Sequence, residues 1–174
     1  MKIILTESQL KRIILKEELD KSVISRIGGN DKTHISKGDN LKFKNVPTNE
    51  QRIHFKPKGL WFSFGTEWID FVERALFTRE EVSDMLQNVY DIKTNDSKIL
   101  TIGMENESLF LETYGVENDT DIMDVDWKKV ASDWSGVEIL INPRELNERW
   151  LWSTWDIPSG CVWDISGIKS ITKL

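Results

Sequence analysis

Lys56-Pro-Lys-Gly-Leu-Trp-Phe-Ser-Phe64 turns from basic to apolar within four residues. Gly59–Phe64 is too short for a helix and rich in aromatic side chains, so it predicts a buried strand that Gly65 ends. Thr66 follows as a helix cap, and Trp68, Phe71, Val72 and Ala75 recur at helical spacing. A second helix is expected after Thr78, with Glu80 and Glu81 in its first turn and Val82, Met85, Leu86 and Val89 on one face. Ile99–Ile102 reads as the next strand.

Towards the N-terminus, residues 30–58 are polar and irregular. Lys32, Lys37, Lys42, Lys44, Arg52, Lys56 and Lys58 stand against Asp31, Asp39 and Glu50, an excess of four positive charges. Ahead of them, Thr6 and Gln9 fit a capping box, and Leu10, Ile13 and Ile14 share a helical face. The helix should end before Gly28-Gly29. Lys11, Arg12 and Lys16 interrupt its apolar stretch, which speaks against a signal peptide. Residues 1–29 thus form a helical appendage, either packed on the domain or serving as a detachable docking helix, and residues 30–174 form the domain.

Towards the C-terminus, Glu117, Asp119, Asp121, Asp124 and Asp126 suggest a solvated acidic turn. A calcium loop would need the glycine and distal Glu of an EF-hand, which are absent. Trp127, Val130, Ala131 and Trp134 fit a short helix, and Ser135-Gly136 turns into a strand over 137–141, stopped by Asn142-Pro143. Gly160–Ile165 is a further strand and Ile168–Leu174 a final edge. Short strands with interposed short helices give an α+β fold with a mixed or antiparallel sheet.

Composition sets outer limits. The 174 residues are 39% hydrophobic and 30% charged, which excludes a mostly disordered or membrane-embedded chain. A prior of roughly 150 residues per domain gives one domain. No apolar run approaches the ~18 residues of a spanning helix. The 23 basic and 29 acidic residues leave a net charge of −6, which argues against coating nucleic acid with the whole surface. One Cys, Cys161, rules out an internal disulfide, and two His, His34 and His54, leave little for a metal centre. Eight Trp form an unusual set, four of them at 150, 152, 155 and 163, and most should fill the core. Cys161 sits in an apolar strand, where a free thiol behaves as a small hydrophobe. The chain has no G-x-S-x-G elbow, P-loop or G-x-G-x-x-G.

Three segments remain: Thr33-His-Ile-Ser36, Lys58-Gly-Leu-Trp-Phe-Ser63, and Ser159-Gly-Cys-Val-Trp-Asp-Ile165. In this order they resemble the ADP-ribosyltransferase fold, in its poly(ADP-ribose) polymerase-like and diphtheria-toxin-like branch, over residues 30–174. That family carries a first-strand His in an H-x-S/T setting, a second strand like K-G-I-Y-F-A, and a late strand in which a Glu precedes a run like V-Y-D-I. The passage from Trp127 through Ser135-Gly-Val-Glu-Ile139 resembles the helix and strand before that late strand. The fold so implied is split mixed or antiparallel sheets with short flanking helices and, here, an N-terminal helix.

The resemblance implies NAD-dependent mono-ADP-ribosyl transfer to a protein or nucleic-acid acceptor, with NAD in a cleft between the first two motifs. It gives His34 to a ribose hydroxyl, the backbone near Ile35 and Ser36 to the carboxamide with Ser63 assisting, and Gly59, Leu60 and Trp61 to the nicotinamide, Trp61 standing where the family's stacking Tyr does. Ser159 falls where the family has its Glu and brings no charge. Asp156 is the preferred substitute, because strand alternation turns Asp164 away. The alternative is an inactive module of the same fold that binds a nucleotide or nucleic acid. No metal and no membrane are implied. Location would be cytoplasmic, in a host cell if the chain resembles the small phage-borne members, whose leading helix would suit docking into a larger assembly. Taken alone, the same residues also fit structural roles: His34 at a strand end, Trp61 in the core, and Ser159-Gly160 as a turn.

Overall fold

A computed structural model describes residues 21–36, 41–74, 87–117 and 123–174. The strands are β1 (Lys32–Ile35), β2 (Ile53–His54), β3 (Leu60–Phe64), β4 (Val89–Thr94), β5 (Ile99–Ile102), β6 (Gly115–Glu117), β7 (Met123–Asp126), β8 (Gly136–Ile139), β9 (Ser159–Val162) and β10 (Ile168–Lys173). The helices are α1 (Glu67–Arg74), α2 (Glu107–Tyr114), α3 (Trp127–Asp133) and α4 (Arg149–Trp152). Seven strands form a curled mixed sheet in the order β10-β4-β1-β3-β9-β8-β5, and β2-β7-β6 form a second, smaller sheet. Neighbours run antiparallel except β5 and β8, which are parallel. The fold is α+β.

Local chemistry explains the central strands. After β3 the chain turns at Gly65, whose φ of 54° lies in the left-handed region that favours glycine. Its amide donates to Asp31 O at 2.8 Å, which fixes β1 beside β3. On β9, a Cβ at Gly160 would overlap the Phe62 ring, so only glycine lets that ring lie across the neighbouring strand. Pleating divides the core. Val137, Ile139 and Cys161 join Trp127, Trp152, Trp155 and Trp163 on one face. Leu60, Phe62, Tyr90, Ile92, Ile99 and Val162 pack on the other. Each of the four buried indoles donates its N–H: Trp127 to His54 O, Trp155 to Phe55 O, Trp163 to Trp134 O and Trp152 to Glu107 Oε1. Leaving such a donor unpaired in the core would cost about 1–3 kcal/mol.

Several sequence expectations are corrected. Residues 117–126 are not a simple acidic turn, since both ends are strands. Val116, Met123 and Val125 alternate with the acids, and Val125 is fully buried. Asp126 caps α3 by accepting from the Lys129 amide at 3.1 Å. The strand expected over 137–141 spans 136–139, and that expected over 160–165 spans 159–162, because Ser135 O takes the amides of both Trp163 and Asp164 and ends the ladder. The irregular 30–58 stretch contains β1 and β2. Helix α2 went unread, although Phe110, Leu111 and Tyr114 carry its buried face. The capping box at Thr6 and Gln9 and positions 78–86 of the helix expected after Thr78 lie outside the described residues, whereas Val89, expected on that helix, opens β4, where its side chain is buried. Of the two readings of residues 1–29, the described end agrees with packing on the domain: Val23, Ile24 and Ile27 pack against Ile69, Val72 and Val89. Among the described residues, no helix is long and apolar enough to cross a membrane.

Candidate functional site

The three motif strands lie side by side in the order β1-β3-β9. Thr33 pairs with Ser63, and Ser63 pairs with Ser159, so the first, second and late motifs meet at one level of the sheet. The β1–β3 ladder covers Lys32↔Phe64 and Thr33↔Ser63 and goes no further. Backbone groups alternate between neighbours in an antiparallel strand. The Gly65 amide reaches Asp31 O, and the Ser36 amide reaches Asn88 O beyond β4. By that alternation Asp31, Thr33 and Ile35 turn their backbones to β3, while His34 and Ser36 turn theirs to β4. At the level of Ile35 the two strands part.

His34 occupies the parting. Its Nδ1 lies 2.6 Å from the Trp61 carbonyl oxygen. A carbonyl only accepts, so Nδ1 carries the proton and Nε2 of the neutral ring keeps its lone pair. Burial pushes the imidazole pKa below its ordinary value, only partly offset by the bond to Trp61 O. The ring is therefore neutral at pH 7, a fixed acceptor at Nε2.

Trp61 does not share a cleft with that ring. Trp61 and Ser63 stand on the face of Thr33, whereas His34 stands with Tyr90, its ladder partner, on the face of Phe62. The indole packs edge-on against Trp155 with centroids 4.7 Å apart, and Lys56 Nζ lies 5.5 Å from its centroid. The expected pairing of an imidazole and an indole around one pocket is corrected: the two residues meet through the backbone carbonyl alone, because the aromatic core draws the indole to the other face.

The remaining expected positions serve mainly packing. Ile35 packs with Ile69, Val72 and Val89, and Leu60 is buried among Phe62, Tyr90 and Val162. A Cβ at Gly59 would overlap the Val162 carbonyl. Ser63 is buried with its Oγ 3.4 Å from Thr33 Oγ1, which itself donates to Gly65 O at 2.9 Å. Ser36 holds the strand end through its amide. Ser159 is buried, and its hydroxyl donates to Ile157 O at 2.9 Å. Asp156 is exposed on the turn before β9. Burial pushes the Cys161 thiol pKa well up.

Three features were not read from the sequence. A cavity of about 480 Å³ opens at the Gly65 end of β3, bordered by Phe64, Thr66, Leu140 and Pro158. It adjoins the level of Ser159 and lies away from His34. On the face of Phe62, Lys32 Nζ donates to Thr94 Oγ1 on the neighbouring β4 at 2.6 Å and pairs with Glu138 Oε2 at 2.6 Å, although β3 and β9 lie between β1 and β8. Charge spacing gives no sign of that pair. Last, Gln51 is buried and brackets the backbone of Lys58. Among the described residues, no group of three or more His, Cys, Asp or Glu is placed to hold a metal ion.

Comparison with protein-family models, with curated proteins and with solved structures finds no match to this chain.

Proposed function

We propose that this chain is a nucleotide-binding module of ADP-ribosyltransferase type that takes the ribose of NAD at the parting of β1 and β3 and does not transfer it. One observation carries the reading: the three motif strands are neighbours, and a neutral imidazole with a free acceptor nitrogen sits where the first two diverge. Nε2 of His34 is suited to accept from a ribose hydroxyl, and the Ile35 backbone, turned towards β3, is suited to an amide group such as the carboxamide of nicotinamide.

Cleavage of the nicotinamide bond passes through an oxocarbenium-like state that needs a fixed negative charge close by. Ser159 supplies none, and its hydroxyl is engaged by Ile157. Trp61 supplies no stacking surface to the His34 side of the sheet. Both points favour binding over catalysis. A transferase reading is favoured by Asp156 alone, whose carboxylate is exposed three residues ahead of Ser159.

Calorimetry with NAD, paired with chromatography for released nicotinamide in the presence of cell lysate, tests both readings. The module reading expects saturable binding, its loss in His34→Ala, and no nicotinamide. Release of nicotinamide that Asp156→Asn abolishes would replace it with the transferase. Absence of NAD binding would overturn both.

A further inference from the structure

The segment from Gln51 to Lys58 is held from within at three points. Gln51, 4% exposed, donates from Nε2 to Lys58 O at 2.7 Å and accepts from the Lys58 amide at Oε1 at 2.9 Å, closing the loop like a rung of sheet. Between these ends, the His54 carbonyl accepts from the buried Trp127 indole at 2.8 Å and the Phe55 carbonyl from the buried Trp155 indole at 3.1 Å. β2 adds its pairing to β7. Buried side chains thus fix the loop's backbone, which lowers the ordering cost of any partner it meets.

The outer surface of this fixed loop is cationic. Arg52, Lys56 and Lys58 are all exposed, with the exposed His54 ring between the first two, in a chain whose net charge is −6. Aromatic groups interleave with them: the His54 and Phe55 rings meet edge-on at 5.4 Å, and Lys56 lies over Trp61. On the adjacent strand β7, the carboxylate of Asp126 is turned to the Lys129 amide at the start of α3. Asp124 is its other acid, and Glu50 and Asp156 are the exposed acids that flank the loop in sequence and packing.

We propose that the 51–58 loop is a docking surface for single-stranded nucleic acid, with phosphates at Arg52, Lys56 and Lys58 and bases against the His54–Phe55 pair. Phe55 and Trp61 rest their inner sides on the aromatic core, while the His54 ring is exposed between Arg52 and Lys56. An acidic protein would answer the charges alone, whereas a flat ring offered beside a cationic track is how single strands are held. The proposal is independent of NAD binding, which concerns the β1–β3 parting.

Fluorescence anisotropy of a labelled oligouridylate with the full chain tests it. Each phosphate neutralised on a single strand contributes a slope of roughly −0.7 in log affinity against log salt, so three cations predict about −2. The Lys56→Glu/Lys58→Glu variant is expected to weaken binding at least about tenfold. A Lys98→Glu/Lys169→Glu variant makes the same change in net charge elsewhere on the surface and is expected to leave binding within about twofold. Both pairs are exposed, and unchanged thermal melting confirms that the variants fold. Three results would each overturn the proposal: no saturable binding, equal loss in the two variants, or displacement by polyglutamate as effective as by unlabelled oligouridylate.

Discussion

The His34 imidazole is tied to the Trp61 carbonyl at 2.6 Å, while the two side chains leave the sheet on opposite faces. One strand's side chain thereby replaces the next rung of its own ladder. Burial depresses the pKa of this ring. In the unfolded chain the ring titrates near 6.5, so as pH falls the unfolded state takes up the proton first. Stability from this group is complete above that value and is lost as pH falls towards the folded pKa. Urea unfolding at pH 7.5 and 5.5 should show a lower midpoint at the acidic pH, and His34→Gln should reduce the difference. An unreduced difference would assign the effect to other groups.

Glu107 is 1% exposed, and its carboxylate accepts four hydrogen bonds: from the Asn147 amide and side chain at Oε2, and from the Glu148 amide and Trp152 Nε1 at Oε1. Glu107→Gln puts an NH₂ group against two donors on one side or the other. Loss of about 2–4 kcal/mol is expected, measured by chemical denaturation. A change under about 0.5 kcal/mol would mean that the four donors find other partners.

Gly160→Ala forces a methyl group into the Phe62 ring and to within 2.8 Å of the Val137 carbonyl. Overpacking of this kind costs about 1–3 kcal/mol. Adding Phe62→Leu should recover part of the loss, since it removes the ring and leaves the carbonyl. Thermal melts of the single and double variants would show non-additive shifts; additive ones would contradict the contact.

Cys161 is the chain's one cysteine, fully buried, with a thiol held protonated by its surroundings. A thiol-reactive dye should label the native protein only as fast as the sheet opens, and labelling should accelerate with urea. Rapid stoichiometric labelling in native buffer would show that β9 is accessible.

The legible parts of the fold were those written in local pattern. β3, β5, α1 and α3 follow from apolar runs and from side chains at helical spacing, and Ile168–Lys173 does lie at the sheet edge. β6 and β7 were obscured because acids match their apolar residues one for one, so charge masked a period of two. β2 is two residues long and exists through its partner β7, which no local signal announces. At the site, the three motif segments do contain strands β1, β3 and β9, but that these lie side by side was not legible, because the sequence order of strands does not fix their order in a sheet. The faces of His34 and Trp61 did not follow, because strand register is set by pairing: Thr33 opposite Ser63 puts residues 34 and 61 out of phase. The role of Gln51 was invisible for the same reason, since its partner is backbone.

The sheet order also governs how the molecule comes off the ribosome. β3 needs β9, whose Cys161 faces Trp61 across 100 positions of sequence, and β4 needs β10. A nascent chain that has emerged only as far as Pro158 holds β3 and β8 with no strand between them, two raw edges able to pair with any neighbour. The central sheet thus closes only once Ser159–Val162 has left the ribosome, and until then the β3 and β8 edges stay open to foreign strands.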